Sequence, residues 1–491
     1  QYLPDKMLGT KYYLKDEKKI NAPMRAFHFG EPGVNPITGN VSFSVTDMVI
    51  AIPGIQYEIT RTYNSQNDAD SILGRGWSFG FDAKCEVYSD GVIASFPDGS
   101  SDTFWKQTDG SYLSKYSRRT ATWDKNDLFV VVEPNQDRYY FKRDGKLAHI
   151  EDRYGNRTKV SYTDGKISEL VDAAGRSYKL AVNSDGKLTK LTDPMGHEVI
   201  YTYNEKGYLA AVTNVLGGTT TYTYDEEGYL TQILDPEGYQ VQSFDYHGSE
   251  KTVEGMADVR PVMFSAPQKI TMRTLSGKTN SAKAEMVTEK TSNAQNTVES
   301  NPPKTTDIQV TTCIDAYGGI KTYAYDPDKK ETLVTSTDGR EWTYWYNSDM
   351  YLTAVKNPDG SMEKTEYAPQ KEGFHYADVI STTDEYGSKT SYILDENGNI
   401  IQTIYADGSI RKMWYDAWNN CVIECSQTNV YTYHVYDDKG ISLLKNVRRT
   451  NGAAITGVTE KNLNEKLKNI TCADQDYIVE EYRYYTDKEA E

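Results

Sequence analysis

"GYLAAVTNVLGGTTTYTYDEEGYLTQILDPEGYQVQSFDY", Gly207 to Tyr246, says almost the same thing twice, with a period of 21 residues. Gly186, Gly207 and Gly228 form one series, and Gly196, Gly217 and Gly238 form a second, ten residues on. Backwards, the series extend to Gly145 and Gly165, and to Gly155 and Gly175. Tyr203 and Tyr224 keep the same step, each followed by Asn or Asp. The beat returns at Tyr325, Tyr346 and Tyr367, at Tyr415 and Tyr436, and at Gly318, Gly339 and Gly360. A self-similar period of this size marks a repeat architecture.

A period of 21 is also three heptads, but two glycines and often a proline per unit would break each helix. Strands fit better. "EVIYTY" and "TTTYTY" alternate with period two, so Tyr201 and Tyr203 share one face, as do Tyr222 and Tyr224. Asp-Gly at 144–145, 164–165 and 185–186 supplies the positive φ of a tight hairpin. Two strands of about six residues plus two turns fill one unit. Leu188 and Leu191, like Leu209 and Val212, stand three apart, which a bulge or a strand covered on both sides would explain. A lone hairpin cannot bury its apolar face, so units stack into one sheet, with tyrosines laddered from unit to unit.

The 491 residues are polar, with a mean hydropathy of −0.68, yet contain 40 tyrosines. Tyrosine buries a ring while its hydroxyl finds a partner, which suits a thin, partly wet core. The formal net charge of −17 repels nucleic-acid phosphates and anionic lipid, so neither is expected as a partner. No apolar run is long enough for a membrane span, so no membrane insertion by this segment is expected. Cys85, Cys313, Cys421, Cys425 and Cys472 are widely spaced and the histidines are scattered, so no zinc site, disulfide scaffold or cofactor is expected.

The chain divides into an N-terminal arm (1–28), a β-rich capping domain (29–136) and a first repeat block (137–247). A Ser/Thr/Lys/Asn-rich insertion without tyrosine follows (248–310), expected to be a disordered excursion from one turn. A second repeat block (311–445) leads into an irregular segment (446–491) that looks like the start of another unit. The fold class expected is all-β: a capping domain followed by stacked antiparallel hairpins winding as a spiral sheet.

"YTYDEEGYLTQILDPEG" (222–238) resembles the YD repeat of the RHS family, which includes bacterial polymorphic toxins, insecticidal toxin-complex subunits and teneurins. "GEPGVNPITGNVSFSVTDMVIAIPGIQYEITRTYNS" (30–65) with "LGRGWSFGFD" (73–82) resembles the domain that commonly precedes RHS repeats in bacterial surface and secreted toxins. The resemblance covers residues 30 to about 445 apart from the insertion. It implies a spiral β-sheet wound into a hollow shell, which in toxin members encloses a C-terminal toxic domain and in others serves adhesion. The self-cleaving core element of the family is not found in this chain.

The expectation is therefore a structural wall, an opening stretch of shell from a secreted or cell-surface toxin-delivery protein whose payload lies beyond Glu491. Its partner would be the rest of its own longer chain. The alternative is an adhesin binding surface glycans through Trp342, Trp345, Trp414 and Trp418, the last two at the same strand parity. A third reading is a hydrolase: "GWSFG" (76–80) fits a nucleophile elbow at Ser78, but an alternating strand pattern follows it, not a helix. Recurrent acids such as Asp225, Asp235 and Asp326, and "DENGN" (395–399), read as turn residues rather than calcium ligands. No catalytic, cofactor or metal residue is assigned. The repeat-defining positions are Gly186, Gly196, Tyr203, Gly207, Gly217, Tyr224, Gly228, Gly238, Tyr325, Tyr346 and Tyr367.

Overall fold

The computed structural model describes residues 33–246, 309–369 and 378–482, apart from 53–54, 68–69, 89, 98–100, 116, 438–439 and 441. The arm (1–28) and nearly all of the insertion (248–308) lie outside the described residues. From Lys84–Val87 to Tyr477–Glu481 every strand is antiparallel to the one before it, giving one long sheet in chain order. The sheet passes straight across the insertion: Gln240–Tyr246 pairs with Val310–Asp315, with Ser243 opposite Ile314. The second block thus begins at Val310, one residue inside the expected insertion, because Val310 pairs with Tyr246.

One unit shows how the sequence makes the sheet. In Glu198–Tyr203 the alternation holds: Val199 and Tyr201 are buried while Glu198, Ile200 and Thr202 are exposed. Its partner Leu209–Thr213 contains a bulge. Thr202 lies opposite Ala211 and Tyr203 opposite Leu209, so Ala210 is skipped. The extra residue swings Leu209 back to the face of Val212, and both are buried, at 0% and 3% exposure. The same skip occurs at Thr189 and Thr231, placing Leu188 with Leu191 and Leu230 with Ile233. Of the two explanations for the three-residue spacing, the bulge is the one used. Each leucine or isoleucine so buried stabilises the sheet by about 1.5–3 kcal/mol.

The turns follow an Asx-x-x-Gly frame. Asp193 Oδ1 accepts from the amides of Met195 and His197, both at 2.8 Å, while Gly196 N donates to Asp193 O at 3.1 Å. Gly196 then reverses the chain at φ +90°. The positive φ expected at the three Asp-Gly pairs is present at Gly145 (86°), Gly165 (79°) and Gly186 (82°), and at 164–165 Asp164 is left-handed as well (φ 50°). At the other two pairs only the glycine is left-handed, because the turn starts earlier; Asn183 Oδ1, for instance, already holds the amides of Asp185 and Lys187.

The repeat tyrosines tie neighbouring hairpins together. The hydroxyls of Tyr203, Tyr224, Tyr325, Tyr367 and Tyr415 each donate to the carbonyl 15 residues upstream: Leu188, Leu209, Val310, Leu352 and Ile400, at 2.6–3.0 Å. Two of these rings also meet a tyrosine of the preceding unit: Tyr224 meets Tyr208 at 5.3 Å and Tyr367 meets Tyr351 at 5.1 Å.

Ahead of the long sheet, Gly33–Val34, Val41–Ile52, Ile55–Asn64 and Trp77–Phe79 form a separate four-stranded sheet. The long sheet curls until its first strand returns to its own later turn, where Cys85 N donates to Gly145 O at 2.8 Å. The irregular segment expected from 446 is more ordered than its pattern suggests. Leu443–Arg449 pairs with Tyr477–Glu481, and the residues between carry a short helix, Leu463–Leu467. Leu463 and Leu467 bury against Ile423, Tyr433, Val435 and Val447 on the face away from the repeat tyrosines. All five cysteines are free thiols.

Candidate functional site

The tyrosine-bearing face is where the chain differs most from a plain sheet. Along strands 188–246 it is covered by the four-stranded N-terminal sheet. Tyr63, Trp77 and Phe43 form a tight aromatic knot, with ring centroids 5.2–5.8 Å apart, and Trp77 meets Tyr222 edge-on at 5.1 Å. Trp77 Nε1 donates to Tyr224 Oη at 2.8 Å.

A buried ion pair sits in this interface. Arg61, 3% exposed, pairs with Asp47 and donates to Tyr222 Oη at 2.9 Å, while Tyr201 Oη donates to Asp47 Oδ2 at 2.7 Å. Charges taken out of water persist only when paired and hydrogen-bonded. Here two tyrosines from two successive units complete the pair, so the capping sheet reads the 21-residue spacing directly. Burial raises the hydroxyl pKa of Tyr201, Tyr224, Tyr246 and Tyr325 well above the ordinary value, and pushes those of Tyr367 and Tyr415 up to about 12.

The same domain closes one rim of the repeats. The first amide of a strand points out of the sheet's end and needs an acceptor. Leu188 N donates to Ile72 O at 2.7 Å, Leu230 N to Tyr63 Oη at 3.0 Å and Val310 N to Gly39 O at 3.0 Å. Lys187 Nζ reaches Ser71 O at 2.9 Å, and Arg75 reaches Glu227 O and Tyr229 Oη. The fit at Gly39 is close: a Cβ there would lie 2.5 Å from that of Gln309.

The opposite rim of the early strands meets the late ones. Arg118 forms an ion pair with Asp378 and donates to Glu396 O at 3.0 Å, and Arg153 donates to Asn420 Oδ1. The sheet therefore winds as a spiral in which turns of a later coil rest on turns of an earlier one. At its start the second block keeps the cover of the N-terminal sheet, with Thr332 and Val334 buried opposite Tyr325 and Tyr323 and Gly39 set against Tyr325; further along, the tyrosine-bearing face is more open among the described residues. Leu352, Val355 and Tyr344 are half-buried there, where Leu209, Val212 and Tyr222 of the first block are buried.

The four tryptophans do not form one platform. Trp342 lies on the tyrosine-bearing face under Lys321 and Arg340, each 5.7 Å from its ring. Trp345 faces the other way and donates to Glu331 Oε2 at 2.8 Å. Trp414 packs on the cluster around the short helix, 6.3 Å from Tyr431. Trp418, expected to share strand parity with Trp414, is not on that strand. The strand ends at Tyr415, and Trp418 occupies a turn opened by Asp416, 45% exposed. Ser78 is mid-strand, opposite Thr62 and 8% exposed, and the next element is the strand Lys84–Val87. Asp225, Asp235 and Asp395 each accept two backbone amides of their own turn, and Asp326 accepts from Lys329. Among the described residues no helix is long and apolar enough to cross a membrane. Periodicity missed Arg61, Asp47, Arg118 and Arg153 because each occurs once; an arginine in a strand otherwise apolar on that face ("ITRTY") was the available signal.

Residues 30–104 match a family described as "Domain of unknown function (DUF6531)", and residues 134–315 match the "Teneurin YD-shell". The tRNA nuclease WapA of Bacillus subtilis strain 168 is 31% identical over 134 residues, which are 27% of this chain and 6% of that protein. The chain therefore corresponds to a small part of the curated relatives it matches. The crystal structure of TcdB2-TccC3-Cdc42 aligns with 87% of this chain and 27% of its own at 12% identity, with a TM-score of 0.34. The Photorhabdus luminescens Tc holotoxin pore aligns with 84% and 25%, at 12% identity and the same TM-score.

Proposed function

We propose, from the premise that this chain is an RHS/YD-repeat shell protein, that it is the capped opening stretch of a capsule in a larger secreted or cell-surface toxin-delivery protein. The observation that carries the reading is the double seal. The N-terminal sheet covers the tyrosine-bearing face and one rim of the first block, and the second coil rests on the other rim. An adhesive sheet has no use for a plug across its tyrosine-bearing face, whereas a container needs one end closed. The wall performs no chemistry of its own in this reading, and the place of Ser78 within a strand supports that. Its partner is the remainder of its own polypeptide, including a C-terminal payload held against the more open part of the second block's tyrosine-bearing face.

Limited proteolysis of the native full-length polypeptide, with fragments identified by mass spectrometry, tests this. A domain following the repeats should resist cleavage until the shell is opened by denaturant, then be degraded. A native polypeptide with no domain beyond its repeats, or one whose following domain is cut as fast as a free domain, would overturn the reading.

A further inference from the structure

The N-terminal sheet has two faces, and the shell reading uses only one. Phe43, Ile59, Arg61 and Tyr63 face the repeats. The other face of the same hairpin carries Ser44, Thr46, Thr60 and Thr62, four hydroxyls in two cross-strand rows: Ser44 is opposite Thr62 and Thr46 opposite Thr60. Four small hydroxylated side chains in place of apolar ones are not needed to make a strand. They face a cleft of about 500 Å³, within the size range of small-molecule sites. Its far wall is the long sheet, which contributes Phe96, Pro97, Arg119, Glu133 and Tyr139.

We propose that this cleft binds a neutral, polyhydroxylated ligand, a short oligosaccharide. A sugar hydroxyl donates one hydrogen bond and accepts others, so its site needs donors and acceptors interleaved at close spacing. Serine and threonine hydroxyls do both; Glu58 and Glu133 accept only, and Arg119 donates only. These groups are already held in place. Thr46 Oγ1 donates to Glu58 Oε2 at 2.8 Å, Ser44 Oγ and Thr62 Oγ1 are 2.9 Å apart, and Arg119 Nε donates to Glu133 Oε1 at 2.8 Å. Arg119 is stacked on Phe96, 3.8 Å from the ring centre, and Phe96 meets Tyr139 edge-on at 5.3 Å, so the far wall is rigid and partly apolar, as the C–H faces of a sugar require. A phosphate or sulfate would meet two lining carboxylates against one arginine that already has Glu133 and, 3.9 Å away, Asp102. A lone cation would leave the arginine and the hydroxyl protons without a role. The site is thus distinct from the tryptophans considered above and does not depend on the payload.

Calorimetric titration and saturation-transfer NMR of the full chain with maltotetraose, cellotetraose and chitotetraose test the proposal. At least one should bind, and Thr60→Val and Glu58→Gln, both near-isosteric, should each weaken it by about tenfold with an unchanged thermal midpoint. Trp418→Ala should leave binding as it was. If no probe binds the folded protein, or if binding survives Thr60→Val and Glu58→Gln, or if Trp418→Ala abolishes it, the cleft is not a saccharide site.

Discussion

Arg153 and Asn420 stand 267 residues apart in the chain, yet the guanidinium of one donates to the side-chain carbonyl of the other. Both lie in turns, one following an early strand and one following a late strand, so the bond fastens the edge of one coil to the edge of the next. Arg118, with Asp378 and the carbonyl of Glu396, repeats the arrangement nearby. These contacts make the molecule a spiral rather than an open ribbon.

Arg118→Ala combined with Arg153→Ala should therefore loosen the seam without unfolding the strands. Hydrogen exchange should quicken in turns 395–399 and 416–420, while amides of strands 188–192 and 209–213 keep their protection. Uniform acceleration across both sets would mean that the coils are not separate cooperative units.

Gly145 and Gly155 form a matched pair. Their φ angles are +86° and +85°, but a Cβ on Gly145 would lie 2.1 Å from Cys85 O while one on Gly155 meets nothing within 4 Å. Gly155→Ala should cost about 1–2 kcal/mol, the left-handed backbone penalty alone. Gly145→Ala should cost clearly more, because Cys85 N must also give up its bond to Gly145 O. Equal losses in urea titrations of the two variants would remove the close contact between the first strand and its later turn.

Tyr224 and Tyr367 occupy the same repeat position under different cover. Tyr224 Oη donates to Leu209 O and accepts from Trp77 Nε1; Tyr367 Oη donates to Leu352 O. Tyr224→Phe should destabilise the fold by about 2–3 kcal/mol, leaving a buried indole N–H without its acceptor, and Tyr367→Phe by about 1 kcal/mol. A reversed order in chemical denaturation would argue against the N-terminal sheet as the cover of the first block.

The tyrosines also set a limit in alkali. Burial raises their hydroxyl pKa, to about 12 at Tyr367 and Tyr415, above the unfolded value near 10. An unfolded chain then loses protons first, so the stability these groups contribute is complete below pH 10 and falls as pH rises from 10 towards 12. Unfolding followed by circular dichroism should track tyrosinate absorbance near 295 nm over that interval. Gradual tyrosinate formation with the strand signal intact would show that the rings are not closed off from solvent.

The repeat was legible because its punctuation is compositional: glycine where φ must be positive, Asp or Asn where a turn begins, tyrosine where a strand ends. The bulge was half legible. The three-residue spacing of Leu209 and Val212 demanded an irregularity, but only the pairing of Tyr203 with Leu209 selects among the options. Trp418 was misplaced because "DAWNN" lacks the glycine that marks other turns. Asn419 takes that slot at φ 62°, and the spacing from Asp416 was the missed signal. A capping domain and a spiral winding were legible, but the cap's place across the tyrosine-bearing face and the residues of the seam were not. Both depend on how far the sheet curls, and curvature accumulates from small twists that no single residue encodes.

The bonds from Tyr203, Tyr224, Tyr325, Tyr367 and Tyr415 end on main-chain carbonyls, not on particular side chains. One hairpin can thus succeed another whatever its surface residues, and a gene for such a chain can lengthen or shorten by whole units through unequal recombination without redesigning any contact. The Arg153–Asn420 fastening sets the exception. Between those two residues the number of units is locked, since one more or one fewer would bring the wrong turn to Arg153. Length variation is free only outside the circumference they enclose: the girth of the vessel is inherited as a fixed count, and its height is not.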